Sequence, residues 1–191
     1  GDNALLAAMG PGLGFQTHVV EPQEVALSNQ LVAPASSSLI RWLLGHGRVQ
    51  DAGICLGRPF ELTAEVVKGE QRGRTIGVPT ANLDMSSIAG QLIPANGVYA
   101  GTGVVDGNDA LSDGASDTYR AAISVGVKPT FGRRQLTVEA HLFDLPEGTS
   151  LYGEALTLRF EKWVRAQMAF PDPALLVEQI HRDLETCRAL V

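Results

Sequence analysis

Only two cysteines, Cys55 and Cys187, occur in 191 residues, too few and too far apart for a disulfide framework, so a reducing, cytoplasmic setting is expected. Aromatic residues are scarce at 6%, and the formal net charge is −6. Both argue against a protein that grips nucleic acid by base stacking or along a basic surface. No apolar run approaches the roughly 20 residues of a membrane-spanning helix. A basic-then-apolar targeting pattern is also missing from the first residues. Neither nucleic acid nor a membrane is expected as a partner. The familiar catalytic signatures are absent as well. There is no GxxxxGK[ST] and no HExxH, and Gly10, Gly12 and Gly14 fail the GxGxxG spacing. His18, His46, His141 and His181 stand singly rather than as a metal-binding group. Ala122-Ile123-Ser124-Val125-Gly126 lacks the first glycine of a nucleophile elbow.

What is present describes a folded chain. With 45% hydrophobic and 19% charged residues it is not disordered, and it is long enough for one full domain with a smaller unit attached. Glycine (21) and proline (10) are abundant without a repeat, which indicates many tight turns. The sequence opens on Gly1 rather than Met, so it reads as a fragment of a longer chain.

Residues 1–56 have mixed character. A short helix is expected over 4–9 and a short strand over 15–20. From Ser36 three serines offer an N-cap to a helix with Leu39, Ile40, Leu43 and Leu44 inward, stopped by Gly45 and Gly47. A second short helix (Val49, Ala52 and Cys55 inward) leads to a boundary at Gly57-Arg58-Pro59. These pieces read as part of an α/β layer, not a whole one.

From residue 57 to 191 the period changes. Phe60, Leu62, Ala64 and Val66 alternate with Glu61, Thr63 and Glu65, as in a half-buried strand. Further strands are expected near 80–83 and over 97–105, 119–125, 136–143 and 155–163, with a polar hairpin tip over 106–118. About six strands without intervening helices suggest a small antiparallel barrel. A final helix is capped by Asp172, with Pro173 first and Leu176, Ile180 and Leu184 as an apolar stripe that should pack across the barrel.

Two stretches carry candidate chemistry. The run from Gly69 to Asn82 has three glycines in nine residues (Gly69, Gly73, Gly77) and sets Lys68, Arg72 and Arg74 against Glu70. Such a loop can bring backbone N–H groups close to an anion. Pro79 fixes the chain before Thr80 and Asn82, which point the same way if extended. Their hydroxyl and amide oxygens suit Mg²⁺ beside phosphates, although a glycine-rich surface turn would look the same. The second stretch, 119–138, holds Arg120, Lys128, Arg133 and Arg134 and no acid. It is followed by Glu139, on the strand face shared with Thr137 and His141. That carboxylate is either a proton acceptor for a substrate hydroxyl or an ordinary outward-facing glutamate.

Taken together, several runs resemble the riboflavin kinase module of the bacterial bifunctional riboflavin kinase/FAD synthetase (FMN adenylyltransferase) family. They are Gly57-Arg58-Pro59-Phe60, Gly73-Arg74-x-x-Gly77-x-Pro79-Thr80-Ala81-Asn82, Asn96-Gly97-Val98-Tyr99, Ser124-Val125-Gly126-x-x-Pro129-Thr130-Phe131, Val138-Glu139-x-His141-x-Phe143-Asp144 and Leu151-Tyr152-Gly153. The resemblance implies a mainly β fold, a six-stranded Greek-key barrel with a C-terminal helix over 57–191. It implies transfer of the γ-phosphate of ATP to the 5′-hydroxyl of riboflavin, giving FMN and ADP. Thr80 and Asn82 would hold Mg²⁺ and phosphate oxygens. Gly69, Arg72, Gly73, Arg74, Gly77 and Pro79 would shape the nucleotide loop, and Glu139 would be the catalytic base. Flavin would lie near the final helix and the segment from Arg165 to Phe170. Val78 stands where the family commonly has an aromatic residue, and Gln167 where it often has Glu.

Residues 1–56 resemble the tail of the family's adenylyltransferase domain, a Rossmann-like α/β nucleotidyltransferase. There Ser36-Ser37-Ser38-Leu39-Ile40-Arg41 would start a phosphate-facing helix. No HxGH occurs, so FAD synthesis by this chain alone is not expected. The competing reading is a small barrel that binds nucleotide or nucleic acid without chemistry.

Overall fold

Alternation along residues 60–67 builds one wall of the molecule as the sequence suggests. In a computed structural model, which describes residues 2–105, 117–130 and 133–191, Leu62, Ala64 and Val66 are buried while Thr63 and Glu65 are exposed. This strand, β3 (Phe60–Val67), follows a front part made of α1 (Asn3–Leu13), β1 (Glu24–Ala26), β2 (Val32–Pro34), α2 (Ser37–Gly45) and α3 (Val49–Leu56). After it come α4 (Arg72–Thr75), β4 (Ala81–Leu83), β5 (Gly97–Val105), β6 (Asp117–Thr130), β7 (Arg133–Leu142), β8 (Ala155–Ala166) and α5 (Pro173–Leu190).

Six strands close into a barrel in the order β3-β4-β7-β6-β5-β8, and every pairing is antiparallel. Strands β5, β6 and β7 are neighbours in sequence and in space, and β4 lies beside β7, which is a Greek-key connection. Alternate residues of each strand fill the interior, among them Leu62, Tyr99, Ile123, Leu158 and Phe160. Tyr99 meets Phe160 and Trp163 edge-on, with ring centroids 5.2 and 5.1 Å apart. Burial holds its hydroxyl well above the usual phenol range, so it stays protonated. That hydroxyl donates to the Ala95 carbonyl, and the Ala95 N–H donates to Leu44 at 2.9 Å. One aromatic side chain thus connects the barrel core to α2.

The front part departs from expectation at its start. No strand forms over 15–20, because no neighbouring strand offers that segment a ladder, and Val19 and Val20 are exposed. Instead β1 and β2 pair with each other as a two-stranded antiparallel sheet. Helix α1 runs past Met9 and through Pro11 to Leu13, where the left-handed Gly14 ends it. Ser36 caps α2 by accepting from the Leu39 N–H at 3.2 Å. Leu43, Leu44, Val49 and Ala52 are buried in the same core as the barrel side chains. Asp51 is buried beneath them. Burial raises its pKa, but hydrogen bonds from Ser28 and the Arg48 guanidinium at 2.6 Å outweigh that and hold the carboxyl below its ordinary value.

The polar tip expected over 106–118 falls largely on 106–116, outside the described residues. At the other end Asp172 caps α5 by accepting from the Ala174 N–H at 2.7 Å, and Pro173 takes the first position. Cys187 is buried against Ala100 and Phe143, and burial first, then the Asp183 charge, pushes its thiol up to about 12.

Tyr99→Phe removes the hydroxyl but keeps the ring. The unpaired Ala95 carbonyl should cost about 1–3 kcal/mol of stability, read as a lower urea midpoint at unchanged slope.

Candidate active site

Strand β4 is three residues long, and its register builds the site. Leu83 faces the core opposite Val66. Asn82 therefore faces outward, paired with Val67 of β3 on one side and Glu139 of β7 on the other. Glu139 is in turn paired with Ser124 of β6. Directly opposed residues on antiparallel strands share a face, so Asn82, Glu139 and Ser124 form a row on the outer surface of the barrel. His141 lies on the same face, two residues beyond Glu139. Its Nδ1 is 2.8 Å from the Pro79 carbonyl, which can only accept. Nδ1 therefore carries the proton, and the ring holds the backbone immediately before Thr80.

The loop above this row needs its glycines for close approach. A Cβ on Gly69 would lie 2.4 Å from the Asn82 carboxamide, and one on Gly73 would lie 2.1 Å from the Val78 carbonyl oxygen. Bare backbone thus rests directly on Asn82 and closes the α4 turn over Val78. The loop is not wholly irregular, since α4 is a single helical turn starting after Gln71, a non-glycine residue in the left-handed region at φ 56°.

Between this loop, the outer row and α5 lies a cavity of about 580 Å³. Of the residues expected to form the site, Arg72, Gly73, Thr80, Glu139, Arg165 and Phe170 line it. Gly69, Arg74, Gly77, Pro79 and Asn82 are not among its lining residues. Gly69 and Asn82 support its floor, Pro79 is held by His141, and Gly77 makes the turn at φ 74°. Arg74 turns away: its guanidinium reaches the Tyr152 hydroxyl at 3.4 Å. Arg72 stays at the rim, paired with Glu70 at 3.2 Å. Arg120 belongs elsewhere, bonded to Asp144 at 2.9 Å beside Arg188 at the end of α5. The side chains of Lys128, Arg133 and Arg134 lie outside the described ones.

The opposite wall comes from α5. Leu176, Ile180 and Leu184, expected to pack on the barrel, line the cavity, and Leu176 is 41% exposed. Leu184 also packs on the barrel as expected, with Cys187, Leu190 and Val191 against Val98, Ala100, Ala122 and Phe143, and a charge pair adds to this apolar contact. Arg165, at the end of β8, donates through Nε to both oxygens of Asp183 at 2.9 and 3.0 Å and through a second nitrogen at 2.5 Å. Gln179 adds a bond to the same carboxylate at 2.9 Å. Gln167 secures the segment after β8 by exchanging hydrogen bonds with Val127, at 3.2 and 3.4 Å. Sequence reasoning did not place Asp183, Glu70 or Ser124 in the site, although Glu70 was named in the loop and Ser124 in a family-like run. For Asp183 the signal was a charged residue beside an apolar stripe; the other two had none before register was known.

Among the described residues no group of three His, Cys, Asp or Glu side chains gathers to hold a metal. The donor set around Thr80 and Asn82 instead suits a cation that takes most of its ligands from phosphate and water. The Asn82 Nδ2 donates to the Thr80 carbonyl at 3.4 Å, which turns Oδ1 the other way.

Known proteins match the barrel part of the chain. A family model described as "Flavokinase: Riboflavin kinase" matches residues 56–191. The chain is similar to a bifunctional riboflavin kinase/FMN adenylyltransferase of Bacillus subtilis, 35% identical over 78% of this chain and 44% of that protein. It is similar to the protein of the same description from Haemophilus influenzae, 31% identical over 99% of this chain and 56% of that one. The chain spans about half the length of these curated relatives. Among solved structures, a riboflavin kinase from Trypanosoma brucei superposes with TM-score 0.50 at 28% identity, covering 69% of this chain and 79% of that one. Another, described as a macrolide-efflux protein from Streptococcus pneumoniae, superposes with TM-score 0.72 at 32% identity over 93% of this chain and 52% of that one. Among the described residues no helix is long and apolar enough to cross a membrane.

Asp183→Ala strands the half-buried Arg165 charge at the cavity wall. It should lower the free energy of unfolding by about 3–5 kcal/mol, measured by chemical denaturation. A loss below about 1 kcal/mol would show that the pair does not hold α5 in place.

Proposed function

The chain belongs to the riboflavin kinase family, and from that premise we propose that it transfers the γ-phosphoryl group of ATP to the 5′-hydroxyl of riboflavin. The carrying observation is the row Asn82–Glu139–Ser124: Glu139 and Ser124 line, with Thr80, a cavity roofed by a glycine-rich loop, and Asn82 supports its floor. The loop 69–77 encloses the nucleotide phosphates, with Arg72 exchanging its pairing to Glu70 for one to phosphate. Thr80 and Asn82 hold the Mg²⁺ that comes with ATP, and the cation supplies neutralisation of charge on the β- and γ-phosphates. Glu139 accepts the proton of the riboflavin hydroxyl as that oxygen bonds to phosphorus and the bond to ADP breaks. The half-buried site keeps the reacting groups aligned, which supplies most of the acceleration in phosphoryl transfer.

The flavin ring lies against Leu176, Ile180 and Leu184 with Phe170 at the edge. Leu176 is exposed and Ile180 and Leu184 are half-buried along this wall, an apolar surface that suits a planar partner. A cytoplasmic location fits the two free thiols. Residues 1–56 fit the tail of an adenylyltransferase domain in a longer parent protein that also makes FAD. That second reaction is not assigned to these 191 residues, which contain no HxGH.

Incubation with riboflavin and Mg-ATP should give FMN and ADP in equal amounts, and no product at saturating substrates would overturn the proposal. Glu139→Gln should lower kcat by roughly 10²–10⁴-fold while riboflavin still binds. An unchanged kcat would remove the assigned role of Glu139.

A further inference from the structure

Tyr152 lies in the β7–β8 connection, on the side of the 68–77 loop away from the cavity, and four side-chain contacts from that loop converge on it. Gln71 Nε2 donates to its hydroxyl at 3.1 Å, and an Arg74 nitrogen does so at 3.4 Å. The Lys68 ammonium lies 5.8 Å from its ring centroid and the Arg74 guanidinium 5.9 Å, both within cation–π range. Tyr152 itself is fixed to the barrel. Gly153 N–H donates to the Val66 carbonyl at 2.9 Å, and Val66 N–H donates to the Glu154 carbonyl at 2.9 Å. Leu151 beside it is buried in the core.

We propose that Tyr152 is a positioning residue: a latch that holds the phosphate loop closed from behind by binding Lys68, Gln71 and Arg74. The proposal rests on the kinase reading of the cavity. Its logic is a division of charge. Of three cations in the loop, two are committed to one ring, and only Arg72 remains at the cavity rim. Gln71 is the residue whose left-handed backbone starts α4, so fixing its side chain also fixes the direction in which Gly73 and Thr75 face the cavity. The latch therefore acts on nucleotide binding and not on the hydroxyl that is phosphorylated.

The test uses Tyr152→Phe, which keeps the ring and loses both hydrogen bonds, and Gln71→Asn, which tolerates the left-handed backbone but is too short to reach. Trypsin cuts after Lys68, Arg72 and Arg74, so the rate of cleavage within the loop reads its opening whether or not the protein turns over substrate. Each single variant should be cleaved about 3- to 10-fold faster than the parent, with the thermal midpoint unchanged. The KM for ATP should rise by a similar factor of about 3 to 10, against shifts below about 2-fold in kcat and in the KM for riboflavin. The double variant should be no worse than Tyr152→Phe alone, since that change already removes the bond that Gln71→Asn breaks. Tyr152→Leu, which also loses the cation contacts, should exceed Tyr152→Phe. Unchanged cleavage in Tyr152→Phe, additive effects in the double variant, or equal rises in both KM values would overturn the latch. Faster cleavage without any FMN formation by the parent chain would overturn the kinase reading and leave the latch standing.

Discussion

The register of β4 against β7 is the constraint on which the site depends. Three residues and two partner strands set it, with Leu83 in the core opposite Val66 and Asn82 outside opposite Glu139. A slip of one residue would send Asn82 inward and put an alanine or leucine beside Glu139. What prevents the slip is not β4 itself, which is too short to resist it. Burial of Leu83 selects the face, Gly69 accommodates Asn82 on the other side, and His141 grips the Pro79 carbonyl just upstream. The row is thus held by contacts on all sides of a strand that could not hold it alone.

The far wall obeys different physics. Apolar burial seats the C-terminal half of α5 on the barrel through Leu184, Cys187, Leu190 and Val191, while Leu176 stays exposed at the cavity. The helix is also fixed by Arg165–Asp183, with Gln179 completing the carboxylate's bonds, and near its C-terminus by Arg188 and Asp144. Directional polar bonds add to that contact beside the cavity. A buried ion pair contributes little net stability compared with apolar packing, so its main effect here is to orient the helix that the apolar contact seats.

Much of the fold was legible because it is periodic. Alternation from Phe60 to Val66 identified β3, and Asp172-Pro173 marked the start of α5 before any coordinates. Elements too short for a period were not legible. Strands β1 and β2 have three residues each, and α4 is one turn. The segment 15–20 shows the opposite failure: local pattern without a partner strand, which no single segment can reveal. In the site, Thr80, Asn82 and Glu139 were legible as residue types in an unusual order. The direction of Arg74 was not, because Tyr152 lies 78 positions away and only the barrel brings them together.

The charge distribution follows from the same long-range assembly. For the proposed transfer, a chain with net charge −6 must still offer a polyphosphate a favourable approach. Packing every loop cation into the cavity would meet that need but would leave like charges crowded whenever the nucleotide is absent. Lys68 and Arg74 lie against the electron-rich face of Tyr152, apart from the cavity rim. Arg72, paired only with an exposed Glu70 and itself 84% exposed, is then the cation that can move at little cost. Fixed cations behind the loop and a mobile one at its rim divide attraction from contact, and the geometry of a single tyrosine enforces that division.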